Sequence, residues 1–284
     1  MNILPRDLQS QIVAALCEGV SIRATERLTG VHRDTIMRLG VRVGQGCVQL
    51  HDALMHDLQV GRIELDEVWS YVGEHQRLVK PEDGPDVGDQ FIFLALAGSA
   101  KAILSYCVGS RSLANARTIV SDVRARVIGA PEISTDAFGA YRNAVEEAFG
   151  ADCTFGQIDK TFAMDSKRGD ARKYGAGMVV KVARRAVIGQ PSNINTSFIE
   201  RQNLTLRMQQ RRFTRLTNAF SKKLENHKAA VALYAAHYNF CRVHEALRVT
   251  PAMQLGVTDH VWTVGELVDA AQSGSLPEAL AVPA

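Results

Sequence analysis

Residues 62–76, "RIELDEVWSYVGEHQ", decide how this chain is read. Ile63 and Leu65 alternate with charged neighbours, the period-two pattern of a strand with one face on a core. Asp66 and Glu67 then arrive together, ahead of Trp69 and Tyr71. Two carboxylates at the end of a core strand have two readings: surface charge at a turn, or ligands of a metal ion. What the rest of the chain brings to that strand end decides between them.

Working outward, residues 77–90 hold two prolines and several Gly and Asp and read as a loop. "FIFLALAG" (91–98) and "AILSYCVG" (102–109) are apolar strands joined by a tight turn. Residues 111–127 have helical periodicity, "PEIST" leads a short strand that ends at Asp136, and a helix follows over 138–149. "CTFGQI" (153–158) is a further strand; two long helices start near 195 and 218, and the tail from 272 frays. The order β-β-β-α-β-α-β predicts an α/β fold, a mixed sheet with helices packed on it. Reactive groups collect beyond strand ends in such sheets.

Upstream, residues 5–45 read as three short helices, the second capped by Ser21 and separated from the third by a turn at Gly30. That spacing predicts a small all-α helix-turn-helix domain over 1–46, whose last helix offers His32, Arg33, Thr35 and Arg38 to DNA. Trihelical units also occur without DNA, so this pattern alone leaves both readings open. The main domain is expected over 60–256, with a basic insertion at 159–192, and a C-terminal tail over 257–284.

Charge is segregated. The whole chain carries +3, yet Lys160–Lys228 holds 16 Lys/Arg against four carboxylates, a net +12 that leaves −9 elsewhere. A polyanion docking on one side is the simplest reason for such a division; a solvated basic face is the alternative. Apolar residues at 46% and charged residues at 22% describe a core-forming chain. Five cysteines without CxxC spacing fit reduced thiols in a cytosol. The start "MNILPRDLQSQ" lacks a signal peptide's apolar run, and no apolar stretch of membrane-spanning length is present. A cytoplasmic, nucleoid-associated protein with no membrane partner is expected.

Three carboxylates carry the chemistry. Asp66 is expected to close the first strand, Asp136 closes the fourth, and Glu200 lies near the start of the helix "NTSFIERQNLTLRMQQRRF". If the first and fourth strands are neighbours, Asp66 and Asp136 stand side by side and repel unless a cation lies between them. Hard oxygen donors suit Mg²⁺ or Mn²⁺, and two such ions can serve an in-line phosphoryl transfer. On a 3.6-residue period Glu200 shares its face with Asn203, Arg207 and Arg211, a ligand followed by phosphate-binding groups; Arg212 and Arg215 extend the basic run. Glu67 is expected to face away from Asp66, as a supporting or surface group. Trp69 and Tyr71 either pack under the cleft or stack on a displaced base. His237, Cys241 and His244 fall at i, i+4 and i+7, with no fourth ligand evident.

"DEVWSYVG" and the run from "TSFIERQN" through "RRFTRLTNAFSKKLENHK" to "VTPAM" resemble the DDE transposases of the insertion-sequence-one type. The resemblance spans roughly residues 60–255. It implies a ribonuclease H-like core, Asp66, Asp136 and Glu200 as the acidic triad holding two Mg²⁺ or Mn²⁺ ions, and DNA ends and target DNA as partners. It further implies a homo-oligomer that brings two ends together, strand cleavage, and attack of the freed 3′-OH on target DNA. Two features differ from the family: an N-terminal cysteine zinc finger is missing, and the stretch between Asp136 and Glu200 is lengthened by residues 159–192. A nuclease without strand transfer and a non-catalytic DNA-binding regulator are the competing readings.

Overall fold

The structure, a computed structural model, describes residues 4–162, 179–214 and 217–273. It opens with α1 (Arg6–Cys17), α2 (Ile22–Thr29) and α3 (Arg33–Leu54). Ser21 caps α2 by accepting from the Ala24 amide at 3.2 Å, and Gly30 ends it in the left-handed region at φ 69°. α3 does not stop near Gly40 as its glycines suggest, but runs 22 residues through position 46, where the helix-turn-helix domain was expected to end. Its buried stripe explains the continuation: Ile36, Leu39, Val43, Cys47 and Leu50 follow one another at three- and four-residue steps without a break. Gly44 and Gly46 sit within that helix because a Cβ there would collide with the backbone carbonyls of Ala229 and Ala271. They permit close helix packing rather than mark a boundary.

The strands are β1 (Leu58–Gln59), β2 (Arg62–Val72), β3 (Gly88–Ala97), β4 (Ala102–Gly109), β5 (Val127–Ile128), β6 (Glu132–Asp136), β7 (Thr154–Phe162) and β8 (Val179–Ile188). The short β1 and β5 pair with each other. The other six form one mixed sheet in the order β4-β3-β2-β6-β7-β8. β2, β3 and β4 pair antiparallel, β2, β6 and β7 pair parallel, and β8 returns antiparallel on β7. The expected order therefore holds within this sheet, with β8 added inside the basic insertion 159–192, for which no strand was expected.

β3 shows how the sheet is sandwiched. Phe93, Ala95 and Ala97 enter one apolar cluster with Ile119, Val120 and Val123 of α4 (Leu113–Arg126) and with Tyr141 and Val145 of α5 (Gly139–Phe149). Ile92, Leu94 and Leu96 enter the other, with Ile199 and Leu206 of α6 (Ser197–Gln209) and Val231 and Tyr234 of α7 (Leu224–Ala236). Both faces of the strand are buried, so its sequence reads as an unbroken apolar run. After α7 the chain makes a π turn (His237–Cys241), then α8 (Pro251–Gln254) and α9 (Val264–Ser273). α9 lies inside the stretch expected to be tail, yet Leu267 and Val268 are buried and Asp269 accepts a bidentate contact from Arg6 of α1. The helices at the two ends of the described chain thus share the core's first cluster.

Candidate metal centre

The parallel ladder between β2 and β6 ends at the pair Leu65–Thr135. The next residues along, Asp66 and Asp136, stand where that pairing stops. Asp66 does not close its strand: β2 continues to Val72, held by β3. It is the neighbour on its other side that ends. A one-sided ladder of this type leaves space over the sheet for side chains to converge.

Three carboxylates converge there. Oxygens of Asp66, Glu67 and Asp136 lie within 4.8 Å of one another. An all-oxygen donor set of this kind suits a hard divalent ion, which these three carboxylates would hold. The electrostatics point the same way. Burial raises the Asp66 carboxyl to about 7, with the Asp136 and Glu67 charges adding to it. Burial likewise raises Glu67, with Asp136 adding to it, and burial raises Asp136. Excess negative charge in a partly dry site is relieved by protons or by a cation.

Glu67 was expected to face away as a supporting or surface group. It does lie on the opposite side of β2 from Glu64 and Val68, but its side chain is only 4% exposed and its carboxylate reaches the cluster. Arg111 Nε donates to its Oε1 at 2.5 Å and Tyr141 Oη to its Oε2 at 3.1 Å. The same guanidinium donates to Asp136 Oδ2 at 3.4 Å and lies over the Phe138 ring. Arg111 thus bridges two of the three acids.

Glu200 stands at the edge. Its Oε1 accepts from Lys160 Nζ of β7 and from Thr196 Oγ1 at 2.6 Å, and its side chain is 44% exposed. Its charge is nonetheless close enough to raise both Asp66 and Asp136. One turn along α6, Asn203 Nδ2 donates to Asp66 Oδ2 at 2.8 Å, so the helix face carrying Glu200 does turn toward Asp66. What fixes α6 there is Glu64. Fully buried on β2, its Oε2 accepts from the Phe198 and Ile199 amides, each at 2.9 Å. These are N–H groups of the helix's first turn, which Thr196 leaves uncapped by its side chain. A strand carboxylate thus does the work of a helix cap. Residue spacing pairs no strand residue with a particular helix end, so neither Glu64 nor the Arg111 and Lys160 contacts were legible in sequence; "IEL" reads as ordinary amphipathic strand.

The residues expected to meet DNA scatter. His32 caps α3, its Nδ1 accepting from the Asp34 amide at 3.3 Å, and Arg38 donates to Thr35 Oγ1 at 3.5 Å. Arg33, exposed, borders a groove of about 1390 Å³ that runs between α1–α3 and residues 207–222. Arg207 and Arg211 line the same groove. Asn203 is buried against Asp66 instead, and Arg212 turns inward, donating to Ser221 Oγ at 3.1 Å and the Asn226 carbonyl at 3.0 Å. Burial depresses that guanidinium to about 10. Arg215 lies outside the described residues. Trp69, Tyr71 and His75 stack in the groove wall, with ring centroids 4.1–5.7 Å apart, and Phe220 packs on Tyr71 at 5.1 Å. His237 and Cys241 lie in the π turn, after which the backbone extends. They are not gathered with His244; among the described residues the one potential metal-holding group is that of Asp66, Glu67 and Asp136.

No helix among the described residues is long and apolar enough to cross a membrane. No family model and no curated protein matches the chain. Among solved structures it is similar to a piggyBac transposase synaptic complex with hairpin DNA, at 10% identity and a TM-score of 0.40, covering 95% of this chain and 70% of that one.

Proposed function

We propose that the chain is a DDE-type DNA transposase similar to those of the insertion-sequence-one family, with a ribonuclease H-like core and Asp66, Asp136 and Glu200 as its acidic residues. The observation that carries this reading is the convergence of Asp66 and Asp136 at the end of one parallel ladder, beneath a helix whose Glu200 face is turned toward them. A six-stranded mixed sheet flanked by helices is compatible with such a core. A divalent ion held by these carboxylates, Mg²⁺ or Mn²⁺, supplies charge neutralisation and Lewis acidity at a phosphodiester. The chain's own groups do the rest. Asn203 orients the Asp66 carboxylate, Arg111 restrains Glu67 and Asp136, and Lys160 brings a cation to the rim where a scissile phosphate would lie. Phosphodiester hydrolysis at an element's end and attack of the released 3′-OH on target DNA need positioning and charge stabilisation but no covalent protein intermediate. Two ends must be held at once, which makes a homo-oligomer the working form.

Because Glu67 rather than Glu200 lies within ligand distance of the two aspartates, a second ligand set, Asp66–Glu67–Asp136, stands beside the first. One panel separates them. Asp66→Asn and Asp136→Asn abolish Mg²⁺-dependent cleavage of an end-containing duplex while DNA binding persists. Loss of cleavage in Glu200→Gln with retention in Glu67→Gln selects the first set, and the reverse selects the second. Full cleavage by Asp136→Asn overturns the mechanism.

A further inference from the structure

We infer that the groove beside the carboxylates receives an unpaired stretch of a DNA strand, its bases on the shelf of Trp69, Tyr71 and His75 and its phosphates against Arg33, Arg207 and Arg211. The inference rests on the DNA substrate proposed above and adds the state of that substrate. Its size is the first indication. At about 1390 Å³ the groove exceeds the roughly 300–1,000 Å³ of sites built for single small molecules, and suits a segment of a polymer. Its charge is the second. Among the described residues, and leaving aside the inward-turned Arg212, five Lys or Arg side chains line it against one carboxylate, that of Asp34. Phosphates are the matching ligand.

The aromatic wall separates single strand from duplex. Inside a duplex the base faces are stacked on one another and offer nothing to a protein ring, whereas an unpaired base gains from stacking on one. Trp69 is 39% exposed in the wall of this groove, and a surface built only for duplex phosphates has no use for a half-open indole. The shelf is also near the chemistry. Trp69 lies two residues beyond Glu67 on the same face of β2, about 7 Å along the strand. Arg207 sits four residues beyond Asn203, which holds Asp66. A strand separated at the carboxylates therefore meets the rings next.

The test uses the full chain in EDTA, so that no cleavage is needed. Binding of a labelled oligodeoxythymidylate is compared with that of a duplex of equal length. Trp69→Ala is expected to weaken strand binding about tenfold and duplex binding less than about twofold, with Trp69→Phe near wild type. Intrinsic fluorescence gives a second readout, because the other tryptophan, Trp262, is buried against Phe240. Oligodeoxythymidylate is expected to quench the wild type and leave Trp69→Phe unchanged. An equal loss on both DNAs in Trp69→Ala, or no loss and no quenching, overturns the inference and marks the rings as packing. A protein that binds neither DNA overturns the DNA reading itself, whereas one that shows the strand preference but never cleaves with Mg²⁺ overturns only the catalytic proposal.

Discussion

Asp66 has an ordinary carboxyl value near 3.8 and a folded one of about 7. The folded chain therefore holds a proton that the unfolded chain has released throughout the interval between those values. Stability consequently falls as pH rises from about 4 to 7, by on the order of 4 kcal/mol, and the loss is complete above that. Asp66→Asn removes it. In EDTA the variant is expected to melt several degrees above the wild type at pH 8 and to converge with it near pH 4. Added Mg²⁺ should raise the wild-type midpoint at pH 8 and leave the variant unmoved; parallel pH profiles would show that Asp66 is not the group under strain. Residue-level chemistry was only partly legible. The two aspartates announce themselves by sitting at strand ends, whereas Glu67 becomes a candidate ligand only through Tyr141 and Arg111, 74 and 44 residues away. Arg211 and Arg212 show the same limit, since adjacent identical letters are separated by a 3₁₀ turn that sends one to solvent and one inward. Arg211→Ala is expected to weaken DNA binding with an unchanged melting temperature. Arg212→Ala, which strips the Ser221 and Asn226 oxygens of a buried donor, should cost about 2 kcal/mol of stability.

At the scale of elements, α6 is held to the sheet by one carboxylate at its N-terminus as well as by Ile199 and Leu206 beneath it. Glu64 places a negative charge at the positive end of the helix dipole and satisfies two of its orphan amides. Glu64→Ala leaves both amides without their acceptor and should cost about 2–3 kcal/mol. Glu64→Gln keeps a carbonyl acceptor and should cost about half that. If Glu64 only stabilises, cleavage by folded Glu64→Gln protein stays at wild-type rates. If it also sets the place of Glu200, the rate falls and the Mg²⁺ concentration needed for half-maximal cleavage rises. The sequence made β3 and β4 plain because both faces of each carry apolar residues over their shared length. It disguised α3, whose three glycines look like stops and are instead two points of backbone contact with α7 and α9 plus one at Leu16. Gly46→Ala should therefore push α9 away, visible as faster amide exchange over 264–273.

Across the whole molecule, charge and shape divide differently. The basic segment Lys160–Lys228 includes β8, α6 and residues 210–228, but not all of its cations face a partner. Lys160 is engaged by Glu200, Arg184 Nε donates to the Ile194 carbonyl at 3.0 Å, and Arg212 is turned inward. Meanwhile Arg23 and Arg33, from the acidic remainder of the chain, complete the groove's lining. The cationic surface is thus assembled by folding from both parts, which the linear count of +12 cannot express. α3 explains how: one rigid helix carries Arg33 at its start and buries Cys47 and Leu50 in the common core at its end. The N-terminal helices are therefore fixed relative to the carboxylates, and affinity for the unpaired strand should behave as that of one continuous surface. If about five to eight phosphates of that strand are neutralised, the logarithm of the binding constant falls against the logarithm of salt with a slope of about −4 to −6. Arg33→Ala and Arg211→Ala should each flatten that slope by about 0.7, and the double variant by about 1.4, because each removes one phosphate contact from a single bound strand. A slope changed by Arg211→Ala but untouched by Arg33→Ala would mean that the N-terminal helices stand outside the DNA path, and that the cationic surface ends at α6.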